Sequence, residues 1–556
     1  MINSTQPLDD HYPIVVVGGG SVGLSLAAEL GWRELSCLVV EERDDLNDHP
    51  RANAVANRTM EYYRRWGIDQ AITDSGIPPN LPAEYLWVTS LHGREIHRVS
   101  LPPFDELVAS RRSGGYANDE HSWSPYLKTI AGQNEVERVI LDYIGTRDSV
   151  DFRFGERLLE FEDEGPRVRC RIENAHNGEV RSVTTDYLVA CDGGRSSIRR
   201  ELNIDYTGEA DLASFISIYF RAPEMIKRHA FGHGNIFFPL HRAYRGFLLT
   251  WDEDCTYTYH LILDEGQQWQ DIDPVAAINA VLGCDSEAEI ISVQPWTAHA
   301  LVAKSYFHGR AVLAGDAAHL FSPTGGFGMN TGVSDVIDIA WKLQALLEGW
   351  GGPRLLPSYE QERRPVGVRN TREAADCFHR LYAVMQNGDE LDADDAAADV
   401  VREALKADIK DQEKLVASSG TLLGYRYASS DIVIEDGTPE PPDDARQYVP
   451  TARPGHRAPH AWLENGDALY DRFGQGFTLL SFGASSEEAG SFARYADSIG
   501  LPLEIVGIEA PEVAAIYESE LVLIRPDLMV AWRKLDQAYD AEVVLDRARG
   551  VASSAG

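Results

Sequence analysis

Three glycines, Gly18-x-Gly20-x-x-Gly23, constrain this chain more than any other feature. They follow an apolar run, IVVV at 14–17, and open a helical pattern at 21–30. A second apolar run, CLVV at 37–40, ends in Glu41-Glu42-Arg43. The spacing predicts strand, tight turn, helix and second strand, the start of a Rossmann-like α/β domain. Gly18 and Gly20 allow the turn and a close backbone approach to a pyrophosphate, and Gly23 lets helix and strand pack. The helix N-terminus favours phosphate charge. Glu41 stands where a carboxylate accepts hydrogen bonds from a ribose 2′-hydroxyl, and strand alternation favours it over Glu42. That carboxylate disfavours a 2′-phosphate in this turn, while NAD and FAD stay undivided.

The 556 residues carry 51 Lys and Arg against 87 Asp and Glu, a formal charge of −36. Nucleic acids and anionic membrane surfaces both ask for a basic face, so neither partner is expected. Cys37, Cys170, Cys191, Cys255, Cys284 and Cys377 show no CxxC and no paired spacing. That argues against a disulfide framework and against a zinc–cysteine site. The first residues lack the basic and apolar regions of a secretory signal, and no run approaches the roughly 18 apolar residues of a spanning helix. A soluble, cytoplasmic protein is the expectation.

Residues 57–66 and 133–143 read as helices, the second with Val136, Ile140 and Tyr143 on one face. From 150 to 190 the pattern turns to strands, and from 211 to 265 to alternating, aromatic-rich strands of a separate antiparallel sheet. AVLAG at 311–315 is another buried strand, followed by a long helix carrying Val333, Ile337, Ala340, Leu343 and Leu347, with Gly349 just past its end. In the acidic stretch 388–414, Arg402, Lys406, Lys410 and Lys414 recur every fourth residue, as on a solvated helix face. Residues 435–447, rich in Pro and acids, read as a linker before a fresh strand–helix–strand pattern at 451–540.

Further stretches point to a flavin. Residues 310–332 read RAVLAGDAAHLFSPTGGFGMNTG. Asp316 follows a strand end, where a carboxylate can take a ribityl hydroxyl. The loop from Pro323 through Gly326, Gly328 and Met329 to Asn330 is nearly free of bulky side chains, so its amides can lie against a flat ring. The helix after it would stabilise negative charge on a reduced ring. CDGGRSSIR at 191–199, HPRA at 49–52 with RTME at 58–61, and Gln133 ahead of a helix that carries Glu137 complete the set. On these motifs the chain resembles the class A flavoprotein aromatic hydroxylases, and especially their phenol hydroxylase and dichlorophenol hydroxylase branch.

The resemblance implies an FAD fold like that of para-hydroxybenzoate hydroxylase, with Asp316 on the ribityl chain. It places Asp192 in the FAD and nicotinamide motif, Arg51 on the FAD phosphates, Gln133 on FAD, and the Pro323 carbonyl at the flavin's reactive side. It divides the chain into FAD-binding segments at 1–80, 131–205 and 301–385, a substrate-domain segment at 81–130 and a substrate sheet at 206–300. A helical connector and linker follow at 386–450, then a thioredoxin-like domain at 451–548, which has no cysteine and so no thiol redox chemistry. A homodimer is implied. No second GxGxxG follows, which fits a family in which NADPH or NADH binds transiently.

The implied reaction uses NAD(P)H and O₂ to hydroxylate a phenolic ring through a flavin C4a-hydroperoxide. Branch members carry an Asp or His two residues after the matched arginine; here Asn53 stands there, and an amide orients but does not take a proton. The base is then Tyr244, Arg245 or His121, or the substrate needs none, or the reaction is an epoxidation or Baeyer–Villiger step on a polycyclic polyketide. Phe237, Phe238, Phe247 and Trp251 are candidates for the pocket wall; of the adjacent pair, alternation lets one face it, and the resemblance favours Phe238. A non-catalytic FAD-binding protein is the remaining alternative.

Overall fold

The computed structural model of the chain describes residues 7–100, 123–223, 225, 231–252, 256–410 and 418–551. The apolar run 14–17 needs cover on both faces and finds it inside a parallel sheet. His11–Val17 pairs in parallel with Val180–Ala190 on one side and Cys37–Glu41 on the other. Val150–Phe154 and Ala311–Leu313 extend the sheet, again in parallel. Helices Ser21–Trp32, Gln133–Ile144 and Phe327–Glu348 pack together over it. Burial on both faces is why these strands read as unbroken apolar runs. The helix Phe327–Glu348 ends at Gly349, which is left-handed at φ +80°.

A second sheet runs His319–Leu320, Glu289–Ala303, Tyr206–Arg221, Thr256–Ile262, Gly246–Thr250, Ile236–Pro239, Tyr85–Val88, Glu95–Val99. It is antiparallel except where Ile236–Pro239 meets Tyr85–Val88. Its two faces bury different sets. Leu86, Ile216, Phe237, Leu248 and Tyr257 pack under the helix Pro274–Leu282. Tyr85, Trp87, Phe215 and Phe238 lie on the other face, with Phe378 and Leu381 of the helix Leu355–Val384.

A third sheet, Leu503–Gly507, Phe477–Ser481, Leu521–Ile524, Val530–Arg533, has its first pair parallel and the rest antiparallel. One face closes its own core, where Leu480, Val522, Ile524 and Val530 meet Val513 and Tyr517, and the other does not. Phe477, Leu479 and Phe492 pack against Trp341, Trp350 and Leu355 from the helical layer of the first sheet. The segment 435–447 is no free tether. Asp436 pairs with Arg533 at 2.6 Å, Glu440 with Arg453 at 2.9 Å and Asp443 with Arg369 at 2.6 Å, so its acids fasten it down. The helix Ala396–Lys410 buries Leu405 and Ile409 and turns Lys406 outward beside Glu403. Among the described residues no helix is long and apolar enough to cross a membrane, and no group of His, Cys, Asp and Glu could hold a metal ion.

Candidate active site

A cleft of about 1050 Å³ runs from the glycine turn to the inner face of the second sheet. Known ligand pockets reach about 1,000 Å³, so there is room for a large cofactor and a second molecule. Its long arm starts at the turn, where the three glycines are required for three different reasons. Gly18 sits at φ +105°, and a Cβ there would lie 2.3 Å from the Cys191 carbonyl. A Cβ on Gly23 would lie 1.9 Å from the Gly18 carbonyl, so this residue serves packing and does not line the cleft. Gly20 is extended backbone, and a Cβ there would meet nothing within 4 Å. It lines the cleft, as Gly18 does.

Glu41 and Glu42 line this arm, at the end of Cys37–Glu41. Glu41 accepts from the Gly19 N–H at 2.6 Å and from the Arg43 side chain at 2.7 Å. Burial pushes its carboxyl up, but Arg43 and the backbone N–H groups outweigh burial and hold it below the usual range. It therefore stays an ionised acceptor. The Glu137 carboxylate accepts from the Ser21 N–H at 2.9 Å and from Gln133 at 2.8 Å, tying the helix Gln133–Ile144 to the turn. Arg51 lies open on the cleft wall with no ion pair to a described residue. Asp192 caps the short helix Ser197–Glu201 through Oδ2, accepting from the Ser197 N–H at 2.8 Å, while its Oδ1 has no partner among the described residues. Asp316 lies open on the cleft wall, and the protein packed around it costs its carboxylate solvation and pushes the carboxyl up.

The loop 323–330 forms the bend of the cleft. Gly325 and Gly326 are consecutive left-handed residues, φ +79° and +68°, and Thr324 donates to the Ala374 carbonyl at 2.6 Å. Pro323, Gly326, Gly328 and Met329 line the cleft. Asn330 does not, which corrects its assignment to the cofactor. Its amide donates to the Ala54 and Gly326 carbonyls at 3.0 and 2.7 Å and accepts from the Ala56 N–H and Thr59 hydroxyl at 2.8 and 2.7 Å. All four positions of that side chain are used, so it fastens the loop and has nothing left for a ligand.

The short arm is walled by the second sheet. Phe238 lines it, stacked on Trp87 at 4.7 Å, whereas Phe237 points into the opposite core. Phe247, Ile236, Leu249 and Trp296 complete the apolar wall, with Trp296 stacked on Phe215 at 4.2 Å. Asn53 lines the cleft opposite the sheet, its amide 3.5 Å from Asn235. Lys128 stands beside the Tyr85 hydroxyl, also at 3.5 Å, and both line the cleft.

Three candidates fall away from it. Tyr244 shares alternation with Leu248 and packs on the far face. Arg245 is held just before the strand Gly246–Thr250 by Asp264 and by Gln386 at 2.8 Å. Trp251 donates to Thr258 at 2.8 Å and covers Gly132 at the start of a helix. His121 lies outside the described residues. Sequence reasoning missed Tyr85, Lys128, Trp296 and the polar pair Ser217 and His260, all on the cleft wall. The last two left a signal, since a serine and a histidine interrupt the apolar runs SFISIYF and TYTYHLI.

The residues present fit an FAD. An open Cβ position at Gly20, an orphaned oxygen on Asp192 and an unpaired Arg51 mark the long arm as built for a phosphate-bearing ligand. A family model described as "FAD binding domain" matches residues 11–374, and one described as "Aromatic-ring hydroxylase, C-terminal" matches 451–552. Tetracenomycin B2 monooxygenase-dioxygenase of Streptomyces olivaceus is 31 % identical over 565 residues, covering 96 % of this chain and 97 % of that protein. Among solved structures, chromopyrrolic acid-soaked RebC with bound 7-carboxy-K252c has a TM-score of 0.88 at 34 % identity, over 98 % of this chain and 100 % of that one. A ternary complex of aklavinone-11 hydroxylase with FAD and aklavinone has a TM-score of 0.81 at 29 % identity, over 97 % and 99 %.

Proposed function

The chain belongs to the class A FAD-dependent flavoprotein monooxygenases, and from that footing we propose that it oxygenates a flat polycyclic aromatic substrate of polyketide type. NADPH or NADH provides two electrons, one atom of O₂ enters the substrate and the other leaves as water. The carrying observation is the wall of the short arm. Phe238, Phe247 and Trp296 offer flat apolar surface, and no carboxylate from the second sheet lines the cleft among the described residues. A simple phenol asks for a base to raise its nucleophilicity, whereas a polyhydroxylated ring is electron-rich already. Relatives named for tetracenomycin B2 and aklavinone favour polyketide tailoring over the simple phenol suggested by the branch resemblance.

In this reading Gly18 and Gly20 admit the pyrophosphate, Glu41 takes the ribose, Glu42 flanks it, Arg51 meets the phosphates and Gln133 and Asp192 flank the ribityl region. Asp316 takes a ribityl hydroxyl, and the loop from Pro323 to Met329 lies against the ring. FAD, once bound, supplies the oxygen-activating redox chemistry, which the protein orients and shields from water. Asn53 orients a hydroxyl or carbonyl of the substrate. The domain boundaries are those read from the sequence. The C-terminal sheet, two parallel strands followed by two antiparallel ones, supports a thioredoxin-like domain with a structural role. A cytoplasmic homodimer completes the proposal.

The test is NADH and NADPH oxidation by the FAD-loaded protein, with hydroxylated tricyclic and tetracyclic quinones set against simple phenols. The polycyclic compounds are expected to stimulate oxidation and to gain one oxygen atom. Stimulation and hydroxylation by the phenols alone would overturn the substrate class, and no reduction under any ligand would overturn the monooxygenase reading. Asn53→Asp places a titrating group beside the substrate. It is expected to lower kcat/KM for a polycyclic substrate by about tenfold and to add a limb to its pH profile. An unchanged profile means that Asn53 does not meet the reacting ring.

A further inference from the structure

Ser217 and His260 stand opposite each other on neighbouring strands of the second sheet, in one row with Phe247 and Gln294. All four line the cleft. The indole N–H of Trp296 donates to the Ser217 hydroxyl oxygen at 2.8 Å, and that hydroxyl lies 2.7 Å from His260 Nδ1. An indole N–H only donates. With its oxygen accepting from Trp296, Ser217 has one hydrogen to give, and His260 Nδ1 is the acceptor within reach. Were Nδ1 protonated, the serine hydrogen would have no acceptor among the described residues. The relay therefore sets the tautomer: Nδ1 bare, the proton on Nε2.

That Nε2–H has no partner among the described residues, although His260 is only 4 % exposed. Burial, and then the charge of His49 nearby, hold the ring at about 3, so it stays neutral. Buried donors without acceptors are rare in folded proteins, and each one calls for an explanation. Here the donor belongs to a side chain on the cleft wall, packed beside the rings of Phe247 and Trp296. The occupant can bring the acceptor.

Building on the polycyclic reading above, we propose that His260 is a substrate anchor whose Nε2–H takes a carbonyl or phenolic oxygen of the ring system, with Ser217 and Trp296 as positioning residues. Such a donor selects by oxygen pattern. A site built to hydrogen-bond an oxygen rejects the analogue that lacks it far more strongly than an apolar wall rejects a change in shape.

The experiment uses the FAD-loaded full chain and two flat tricyclic probes, 9,10-anthraquinone with two carbonyls and anthracene with none. Binding is read by quenching of tryptophan fluorescence. The wild type is expected to bind anthraquinone at least about tenfold more tightly than anthracene, and His260→Phe to bring the two within about threefold. Ser217→Ala is expected to fall between. Histidine-selective ¹⁵N NMR, with His260 assigned by difference against the variant, is expected to show Nδ1 bare and Nε2 protonated at neutral pH in the wild type. In Ser217→Ala the spectrum is expected to shift toward a tautomer mixture. Discrimination that survives in His260→Phe, or a protonated Nδ1 in the wild type, overturns the inference alone. If neither probe binds, the polycyclic reading falls and the anchor with it. Should His260→Phe fail to fold, Ser217→Ala and the wild-type spectrum decide.

Discussion

Gly20→Val is expected to leave the unfolding midpoint of the apoprotein unchanged and to weaken FAD binding by about a hundredfold or more, which equals roughly 2.8 kcal/mol. Nothing within the protein itself calls for glycine at position 20. Its backbone is extended, φ −80° and ψ −177°, a conformation any residue adopts. A Cβ there would meet nothing within 4 Å. Neither strain nor packing asks for glycine, so the need comes from a group that is not protein. The turn, the helix start and the cleft wall make that group a pyrophosphate. Gly23→Ala is the contrast, because its Cβ would lie 1.9 Å from the Gly18 carbonyl. Gly23→Ala should lose stability and cofactor together. FAD is titrated into each apoprotein by flavin fluorescence, and unfolding is followed by circular dichroism. If Gly20→Val binds FAD as the wild type does, the long arm does not hold the pyrophosphate at this turn.

Arg525→Met is expected to destabilise the protein by about 3–5 kcal/mol, the usual result of breaking a fully buried ion pair from one side. Arg525 is fully buried and donates to Glu362 at 2.5 Å, Asp338 at 2.8 Å and Asp527 at 2.8 Å. Lys342 donates to the same Asp338 and Glu362, at 2.7 and 2.6 Å. Methionine keeps most of the arginine's length, so the loss is chiefly of charge and hydrogen bonds. Burial pushes Glu362 up, but Arg525 and Lys342 outweigh it and hold the carboxyl at about 2, while burial pushes Asp338 the other way, well up.

A depressed carboxyl contributes stability above its unfolded value, about 4.3, and loses it as pH falls through the folded value. The gap between wild type and variant should therefore narrow as pH drops below about 4.3. Arg472→Met is the control. Its pair with Asp467 at 3.0 Å is close to half exposed on both sides, and such pairs change stability by no more than about 1 kcal/mol. Urea denaturation at several pH values measures both variants. Equal midpoints would mean that the cluster does not weld the C-terminal sheet to the helices Phe327–Glu348 and Leu355–Val384.

Those two expectations rest on different kinds of information. The glycine turn, Asp316 and the loop at 323–330 were legible because their chemistry is local, each a run of a few residues whose backbone geometry their own side chains dictate. Alternation let only one of Phe237 and Phe238 face the cleft, and the family resemblance favoured Phe238, which lines it. Tyr244 and Arg245, suggested by the resemblance, and Trp251, suggested as an aromatic wall residue, do not line the cleft, because the outcome depended on which segments lay alongside. Arg245 is drawn away by Asp264 and by Gln386, from distant parts of the chain. Asn330 lies in a readable motif, yet its amide is spent on residues 54, 56 and 59. The segment 435–447 read as a linker, and its acids proved to be ion-pair partners.

From residue order came the α/β start, the flavin motifs, the family resemblance and the departure at Asn53, because short-range sterics and hydrogen bonding write them into the chain. The wall of the short arm came from packing. Trp296, Ser217 and His260 are far apart in sequence and meet through sheet register, and Arg525 finds Glu362 and Asp338 by docking one sheet against another's helices. Register and docking depend on how large buried surfaces fit together, a property no short stretch of residues carries.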